Sequence, residues 1–280
     1  MYPPKFDYTR AGSVDEAVAQ LQGGAKVLAG GHSLIPALKL RLSDPGKLVD
    51  IGRIAGLKGI SVNGNTATIG ALTTHAMVAA SGQLPTALTE AAGWIGDPQV
   101  RNRGTVGGNI AHADPASDLP TVFVALGATI NLTGPNGSRS VAAGDFFIDL
   151  FYTALEENEL VVSVDVPLGG GGSAYAKLFN PASRYAIVGA CAKVSVANGV
   201  CSSASVAVGG LTPKATNAPS VAGALTGKAL TAETIAAAAA QVANDLGEDV
   251  MGDIHASADY RRAMAAVYVE RALKNAAERA

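Results

Sequence analysis

The sequence has few cysteines and few aromatic residues, and each scarcity excludes a class of protein. Its 280 residues include two cysteines, Cys191 and Cys201, and aromatic residues make up 5%. Two thiols without a Cys-x-x-Cys pair cannot supply the four ligands of an iron–sulfur cluster, so any cluster has to lie on another chain. We expect both cysteines to be buried thiols in a reducing compartment.

Charge is also sparse, and the two signs nearly cancel. Charged residues make up 16% of the chain, with a formal net charge of −2. No extended Lys/Arg run occurs, so nucleic acid is not expected as a partner. The N-terminal residues 1–5 lack the apolar segment of a secretory signal, and no apolar run reaches the about 18–20 residues that span a bilayer. We therefore expect a cytoplasmic protein.

Recognisable catalytic and metal-binding patterns are missing as well. The chain has four histidines, and none pairs with another at i, i+4 or with carboxylates at the spacing typical of a metal site; they are His32, His75, His112 and His255. No Gly-x-Ser-x-Gly elbow or local Ser/His/Asp set occurs. We predict no metal site and no catalytic residue on this chain, which instead looks like the holder of a cofactor.

Glycine is abundant, and two glycine pairs stand beside short apolar runs. The first lies in Val27-Leu28-Ala29-Gly30-Gly31-His32-Ser33-Leu34, and the second in Thr105-Val106-Gly107-Gly108-Asn109. Glycine adopts positive φ and lets a ligand approach without a Cβ in the way. Consecutive N–H groups in such turns form a nest that holds an anion. Two nests suit two phosphates, so the sequence predicts a dinucleotide ligand.

The glycine pairs also have a simpler interpretation, as turns between a strand and a helix. Neither matches the Gly-x-Gly-x-x-Gly pattern or a Walker loop. A helix starting near Ser33 favours the anion site, because its N–H groups and dipole attract negative charge. Asp118 could accept hydrogen bonds from a ribose or an adenine, or could instead be the N-cap of a helix starting at Leu119.

Local patterns predict alternating helices and strands. Ser13 with Glu16 forms a capping box, which predicts a helix over residues 13–21. The other predicted helices cover residues 33–42, 85–94, 119–126, 220–225, 231–246 and 257–278. The predicted strands cover residues 26–29, 48–51, 60–62, 66–69, 128–133, 160–166, 175–179, 187–196 and 203–208. Gly169-Gly170-Gly171-Gly172 is a low-complexity break, where we place a domain boundary.

At the two glycine segments the chain resembles the flavoprotein subunits of the molybdenum hydroxylases. Residues 29–36 and Lys39-Leu40-Arg41-Leu42 resemble the first flavin motif of that family, and residues 101–111 with 114–120 resemble the second. The opening Phe6-Asp7-Tyr8 and closing Tyr260-Arg261 are similar too, so the resemblance covers essentially the whole chain. Within the family the chain most resembles the medium subunit of aerobic carbon monoxide dehydrogenase.

The resemblance implies an α+β fold. Residues 1–170 would form a two-part FAD-binding domain of the vanillyl-alcohol oxidase (PCMH) type, with subdomains of about 1–57 and 58–170. Residues 173–280 would form a three-stranded antiparallel sheet with a helical bundle. The implied FAD-binding residues are Val27, Leu28, Ala29, Gly30, Gly31, His32, Ser33, Leu34, Thr105, Val106, Gly107, Gly108, Asn109, Asp118, Leu160 and Tyr185. Leu160 and Tyr185 could instead be core residues.

The resemblance also implies partners. FAD would sit on this chain, molybdopterin on a large subunit and two [2Fe–2S] clusters on a small one, in a dimer of heterotrimers. Electrons would pass from the clusters through FAD to a quinone, a nicotinamide or oxygen, and contact with a membrane would come only through that acceptor. The complex would oxidise carbon monoxide, or an N-heterocycle or aldehyde. A stand-alone flavin oxidase and a non-catalytic assembly module are the alternatives.

One segment departs from the family pattern. The chain reads Ser183-Arg184-Tyr185-Ala186 where relatives often carry Gly-Asp-Tyr/Phe-Ala. The aromatic position that lies near the flavin ring in the family is kept at Tyr185. Arg184 replaces the acid, and a cation there would favour the anionic reduced flavin and raise its potential.

Overall fold

The computed structural model describes residues 2–280, in which the strands form three sheets and a small hairpin. The strands are β1 (Asp7–Arg10), β2 (Lys26–Leu28), β3 (Lys47–Asp50), β4 (Ile60–Asn63), β5 (Thr66–Gly70), β6 (Thr129–Gly134), β7 (Gly137–Ala142), β8 (Phe147–Asp149), β9 (Tyr152–Thr153), β10 (Leu160–Pro167), β11 (Gly172–Phe179), β12 (Ala186–Ala197), β13 (Val200–Gly209) and β14 (Thr216–Asn217).

The helices lie between and after these strands. They are α1 (Val14–Gln22), α2 (Leu34–Lys39), α3 (His75–Ala79), α4 (Thr86–Trp94), α5 (Pro98–Arg103), α6 (Val106–His112), α7 (Asp118–Leu126), α8 (Ala143–Phe146), α9 (Pro219–Leu225), α10 (Ala232–Ala239) and α11 (Ala258–Ala277), with a 3₁₀ segment over Ala240–Asn244.

The first sheet is small and parallel, with strand order β1-β3-β2. Helix α1 packs on it and starts as the sequence predicts, because the Ser13 hydroxyl accepts the N–H of Glu16 and the Glu16 carboxylate accepts the N–H of Gly12. The Ser13 bond satisfies one of the N–H groups that an uncapped helix start leaves without a partner, and the Glu16 bond is made to Gly12, one residue before the N-cap. The predicted capping-box helix is therefore confirmed.

The second sheet is antiparallel, with strand order β4-β5-β10-β6-β7. Its central strand β10 is the predicted strand over 160–166, and it arrives from about 90 residues beyond its neighbour β5. The alternation in β6, with Ile130 and Leu132 fully buried between more exposed residues, puts one face of this sheet on the core.

Helix α7 is buried along its whole length between the second sheet and the C-terminal sheet. The C-terminal sheet is antiparallel, with order β11-β12-β13-β14. Its three long strands are those that the sequence predicts, and β14 adds two residues at one edge. Helices α9, α10 and α11 follow and cover this sheet.

The glycine run at residues 169–172 is tightly packed. A Cβ on Gly171 would overlap the carbonyl oxygen of Val194, and one on Gly172 would overlap that of Ala276 at the end of α11. Gly171 also has φ of +93°, a conformation that glycine adopts without strain. The break in sequence complexity thus marks close backbone packing as well as a change of sheet.

Several elements were not predicted from the sequence. They include α3, α5 and α6, and α6 contains the second glycine pair itself. The predicted helix over 231–246 ends as α-helix at Ala239 and continues as a 3₁₀ segment.

Among residues 2–280, no helix combines the length and the apolar character needed to cross a membrane. Both cysteines are free and buried.

Candidate cofactor site

The two glycine segments touch each other, although they are more than 70 residues apart in the sequence. Gly30 lies directly on the backbone of Arg103 and Gly104, where a Cβ would overlap the carbonyl oxygen of Arg103. A Cβ on Gly108 would lie 3.8 Å from the Cβ of Ala29. The segments therefore form one continuous surface, as a site for a single dinucleotide requires.

The first glycine segment presents a row of free main-chain donors. Within residues 2–280, none of the N–H groups of residues 30–34 donates a hydrogen bond. Gly31 has φ of +77°, which turns the chain between β2 and α2. Ser33 stands at the N-cap of α2, and its hydroxyl makes no cap bond. Free N–H groups in such a bend suit an anion.

The second glycine segment is different, because its main-chain donors are already used. The four N–H groups of residues 106–109 donate to the carbonyl oxygens of Thr73, Ala71 and Thr105 and to the Thr105 hydroxyl. An isolated bridge between Thr74 and Thr105 holds the segment against the preceding chain. The structure thus differs from the prediction of two nests, since the main-chain N–H groups of the second segment are bonded within the protein and the segment forms a fixed wall.

Side chains of the second segment remain available. The Thr105 hydroxyl accepts the N–H of Gly108 at 3.3 Å, which leaves its own O–H free to donate. The side-chain oxygen Oδ1 of Asn109 accepts a hydrogen bond from the Ser117 hydroxyl at 2.8 Å. The side-chain Nδ2 of Asn109 makes no hydrogen bond within the described residues. This wall therefore offers side-chain donors where the first segment offers backbone.

His75 packs against Gly104, where the two segments meet, and was not singled out from the sequence. Its main-chain N–H donates to the carbonyl of Gly104 at 3.1 Å, and its ring fills the space where a Gly104 side chain would stand. Its Nδ1 is buried without a partner. Burial, and then the positive charge of nearby His32, lower the pKa of His75 to about 4. A neutral ring therefore packs on Gly104, next to the contact between the two segments.

Leu160 is buried beneath the first segment. It belongs to an apolar cluster with Ile51 and Leu72, against which Val27 and Ala29 pack. The strand residues that precede the first glycine pair are thus anchored to the start of β10, the central strand of the second sheet.

Asp118 is the first residue of α7 and has Ser117 as its N-cap, so the alternative of Asp118 as the N-cap is wrong. It is 3% exposed, and its carboxylate accepts the Tyr175 hydroxyl at 2.6 Å and the Lys177 Nζ at 2.8 Å. Burial raises the pKa of Asp118, and the Lys177 charge with the two hydrogen bonds opposes that rise. The Asp118 carboxylate thus joins the start of α7 to β11 of the C-terminal sheet.

Tyr185 is half-exposed on a turn that is hydrogen-bonded to the loop between α6 and α7. The N–H of Ala186 donates to the carbonyl of Ala116 at 3.0 Å. Burial, followed by the negative charges of Asp114 and Asp118, raises the pKa of Tyr185. Tyr185 and Asp114 line a polar cleft of about 230 Å³ that also reaches Arg261. Arg184 precedes Tyr185 with φ of +60° and is exposed.

These positions define an elongated site. The glycines lie at the N-terminal end of α6 and Tyr185 lies beyond its C-terminal end, next to Asp114. A seven-residue helix is about 10 Å long, so the site has room for an extended ligand. The free N–H row and the Thr105 hydroxyl fit a phosphate-containing bridge, and the aromatic ring of Tyr185 fits a flat ring system.

Tyr175 and Lys177, like His75, were missed by reasoning from the sequence. Lys177 lies 59 residues after Asp118, and no local spacing connects them. The alternating strand pattern puts Tyr175 and Lys177 on one face of β11, but it does not say what that face meets.

Models of two protein families match the chain. The FAD binding domain in molybdopterin dehydrogenase matches residues 4–169, and the CO dehydrogenase flavoprotein C-terminal domain matches residues 173–276. The first model alone covers more than half of the sequence.

Several relatives match over nearly their whole length. The chain is 43% identical to the carbon monoxide dehydrogenase medium chain of Hydrogenophaga pseudoflava, covering 99% of this chain and 98% of the relative. It is 39% identical to the 6-hydroxypseudooxynicotine dehydrogenase complex subunit alpha of Paenarthrobacter nicotinovorans, covering 100% and 97%.

Solved structures agree with these matches. The carbon monoxide dehydrogenase of Hydrogenophaga pseudoflava superposes with a TM-score of 0.94 at 43% identity, covering 99% of this chain and 98% of that one. The quinoline 2-oxidoreductase of Pseudomonas putida 86 superposes with a TM-score of 0.93 at 32% identity, covering 99% of each chain. The chain is therefore an FAD-binding oxidoreductase subunit that belongs to the flavoprotein family of the molybdenum hydroxylases.

Proposed function

We propose that this chain binds FAD across the two glycine segments and passes electrons from [2Fe–2S] clusters of a partner subunit to an external acceptor. The observation that carries the proposal is the row of unbonded N–H groups at residues 30–34, held against the wall formed by residues 103–109. Consecutive main-chain N–H groups that no protein acceptor uses form a concave donor surface, and an anionic ligand can accept from several of them at once.

The roles of the residues follow from their contacts. The N–H groups of residues 30–34 and the hydroxyl of Thr105 would bind the diphosphate. Gly30 keeps the two segments in contact, and Leu160 supports the strand that leads into the first one. Tyr185 would lie against the flavin ring, with Asp118 and Asn109 between it and the diphosphate. FAD, when bound, supplies the ability to accept and release one or two electrons, and the protein orients it and sets its electrostatic surroundings.

We propose that the substrate of the complex is carbon monoxide, oxidised at a partner subunit, with an N-heterocycle or an aldehyde as the alternative. The chain shares the largest identities quoted above with a carbon monoxide dehydrogenase and with a dehydrogenase of an N-heterocyclic compound. This chain supplies no residue to that choice, because its site is built for a cofactor.

We propose a large molybdopterin subunit and a small [2Fe–2S] subunit as partners, assembled as a dimer of heterotrimers in the cytoplasm. Among the relatives are a medium chain and a complex subunit alpha, which supports assembly with other chains. Two free, buried cysteines support a reducing compartment. We further propose one domain over 1–170, with parts of about 1–57 and 58–170, and a second over 173–280, because each sheet lies entirely on one side of Gly170.

The test is to produce the full chain with its co-purifying partner chains and to record the absorbance spectrum and metal content. We expect about one FAD per chain, with iron and molybdenum present only when the partners are present. A purified complex without flavin would overturn the proposal. The chain alone, purified with bound flavin, should fail to oxidise alcohols or phenols, and turnover of such a substrate would instead indicate a stand-alone oxidase.

A further inference from the structure

A buried polar cluster joins the C-terminal sheet to the start of α7. Asp118 accepts hydrogen bonds from Tyr175 and Lys177, both on β11. The side chains of Lys177 and Asp118 are 1% and 4% exposed, and Lys177 also donates to the carbonyl of Trp94 at 3.3 Å. A carboxylate at the first turn of the nine-residue α7 is favoured by the helix dipole. Here the carboxylate also accepts hydrogen bonds from two side chains of β11 in the C-terminal sheet.

The cluster continues to the second glycine segment through Ser117. Its hydroxyl donates to the Asn109 Oδ1 at 2.8 Å, and Ser117 precedes Asp118 directly. Two main-chain bonds fix the adjoining residues to the same C-terminal sheet, from Ala186 to the carbonyl of Ala116 and from Gly210 to that of Pro115. A continuous series of hydrogen bonds and backbone therefore runs from Tyr175 to Asn109.

The sheet leaves space specifically for the Tyr175 side chain. A Cβ on Gly189 of the neighbouring strand β12 would overlap the Tyr175 hydroxyl. Tyr175 is 4% exposed and packs in the apolar cluster of the first part of the chain, although its own strand belongs to the C-terminal sheet. A buried hydroxyl needs a partner, and Asp118 is the partner that this packing provides.

We propose that Tyr175 is a positioning residue for FAD, which acts through Asp118 and Ser117 on Asn109 of the second glycine segment. This inference rests on the proposed function, since it concerns how the same site is held. Its consequence is that the C-terminal sheet, and not the FAD-binding part alone, sets the geometry of the site. Without the Tyr175 hydroxyl, the Asp118 carboxylate keeps only the hydrogen bond from Lys177. The start of α7, including Ser117, is then held less firmly against the C-terminal sheet.

The test uses Tyr175→Phe in the full chain with its co-purifying partner chains. The measurements are FAD content and the rate of FAD release after dilution, followed by flavin fluorescence between pH 5 and 8. Loss of one hydrogen bond predicts release about five- to tenfold faster. The increase should be larger toward pH 5, because Asp118 without Tyr175 protonates at a higher pH. Tyr268→Phe is the matched control, because the Tyr268 hydroxyl makes no hydrogen bond within the described residues.

Ser117→Ala supplies a second, independent variant that cuts the link to Asn109 and leaves the Tyr175–Asp118 bond intact. It should accelerate release about as much as Tyr175→Phe, and the double variant should be no faster than either single one, because both act along one path. Multiplicative acceleration in the double variant would overturn the proposal. So would an unchanged release rate in Tyr175→Phe, or a fall in Tm that is equal with and without FAD. A wild-type complex that holds no FAD would instead overturn the proposed function.

Discussion

The two glycine segments look alike in the sequence and differ in the structure. Residues 30–34 form a bend with free N–H groups, whereas the N–H groups of residues 106–109 are bonded to the preceding chain or within the segment. The first segment can therefore bind an anion with its backbone, and the second can do so with side chains only. A glycine pair near a helix start can therefore form either of two structures: a loop with free N–H groups, or a close-packed segment whose N–H groups are already bonded.

The largest expected effect comes from removing the contact between the segments. In Gly30→Ala the new methyl group would overlap the carbonyl of Arg103, and backbone cannot move away as a flexible side chain can. We expect FAD affinity to fall by about two orders of magnitude, equivalent to about 3 kcal/mol. Titration of the FAD-free complex with FAD measures this. Gly93→Ala is the control, because a Cβ there meets nothing within 4 Å, and wild-type affinity in Gly30→Ala would contradict the proposed contact.

The next effect concerns His75, whose ring packs on Gly104. Its pKa is about 4 in the native chain against 6.5 for an unperturbed histidine, so between these values only the unfolded chain takes up the proton. Stability is therefore lost as the pH falls from about 6.5 to 4, by up to about 3 kcal/mol for this group. In His75→Leu we expect a shallower fall of the unfolding free energy over that range, measured by urea unfolding. Equal slopes in variant and wild type would refute this, and the exposed His255→Leu serves as the control.

A smaller effect is expected at the wall. Thr105→Val removes the hydroxyl that accepts the Gly108 N–H, so α6 should lose about 1 kcal/mol of stability. The same change removes the O–H donor that we propose for the diphosphate, and we expect the Kd for FAD to rise about tenfold. Thr105→Ser keeps the hydroxyl and should stay close to wild type in both measurements. If Thr105→Val lowers Tm but leaves the Kd unchanged, the second segment is a support only.

The smallest effect is expected at the free bend. The Ser33 hydroxyl makes no cap bond, so Ser33→Ala should leave Tm unchanged and weaken FAD binding only a few-fold, because the backbone donors remain. Ser13→Ala gives the opposite outcome, since Ser13 caps α1: Tm falls by the equivalent of about 1 kcal/mol and FAD binding stays the same. A loss of stability in Ser33→Ala would show that the bend is not free.

Many helices and strands of the fold can be predicted from local sequence patterns. The Ser13–Glu16 box starts α1, and the β-branched and apolar runs give the long strands. Helix α6 could not be predicted in this way, because a glycine pair lowers helix propensity and tertiary bonds to residues 71 and 73 override it. The same long-range bonds decide which glycine segment keeps free donors. The sequence predicts Asp118 as a site residue, but its bond to Lys177 joins residues 59 apart and leaves no local pattern.

The contact between Gly30 and Arg103 has a consequence for biosynthesis. A nascent chain that has emerged from the ribosome only through its first glycine segment has the bend with free N–H groups but not the backbone of Arg103 opposite it. We therefore expect FAD to bind only after the second segment has been synthesised, and chains that end before it to bind no FAD.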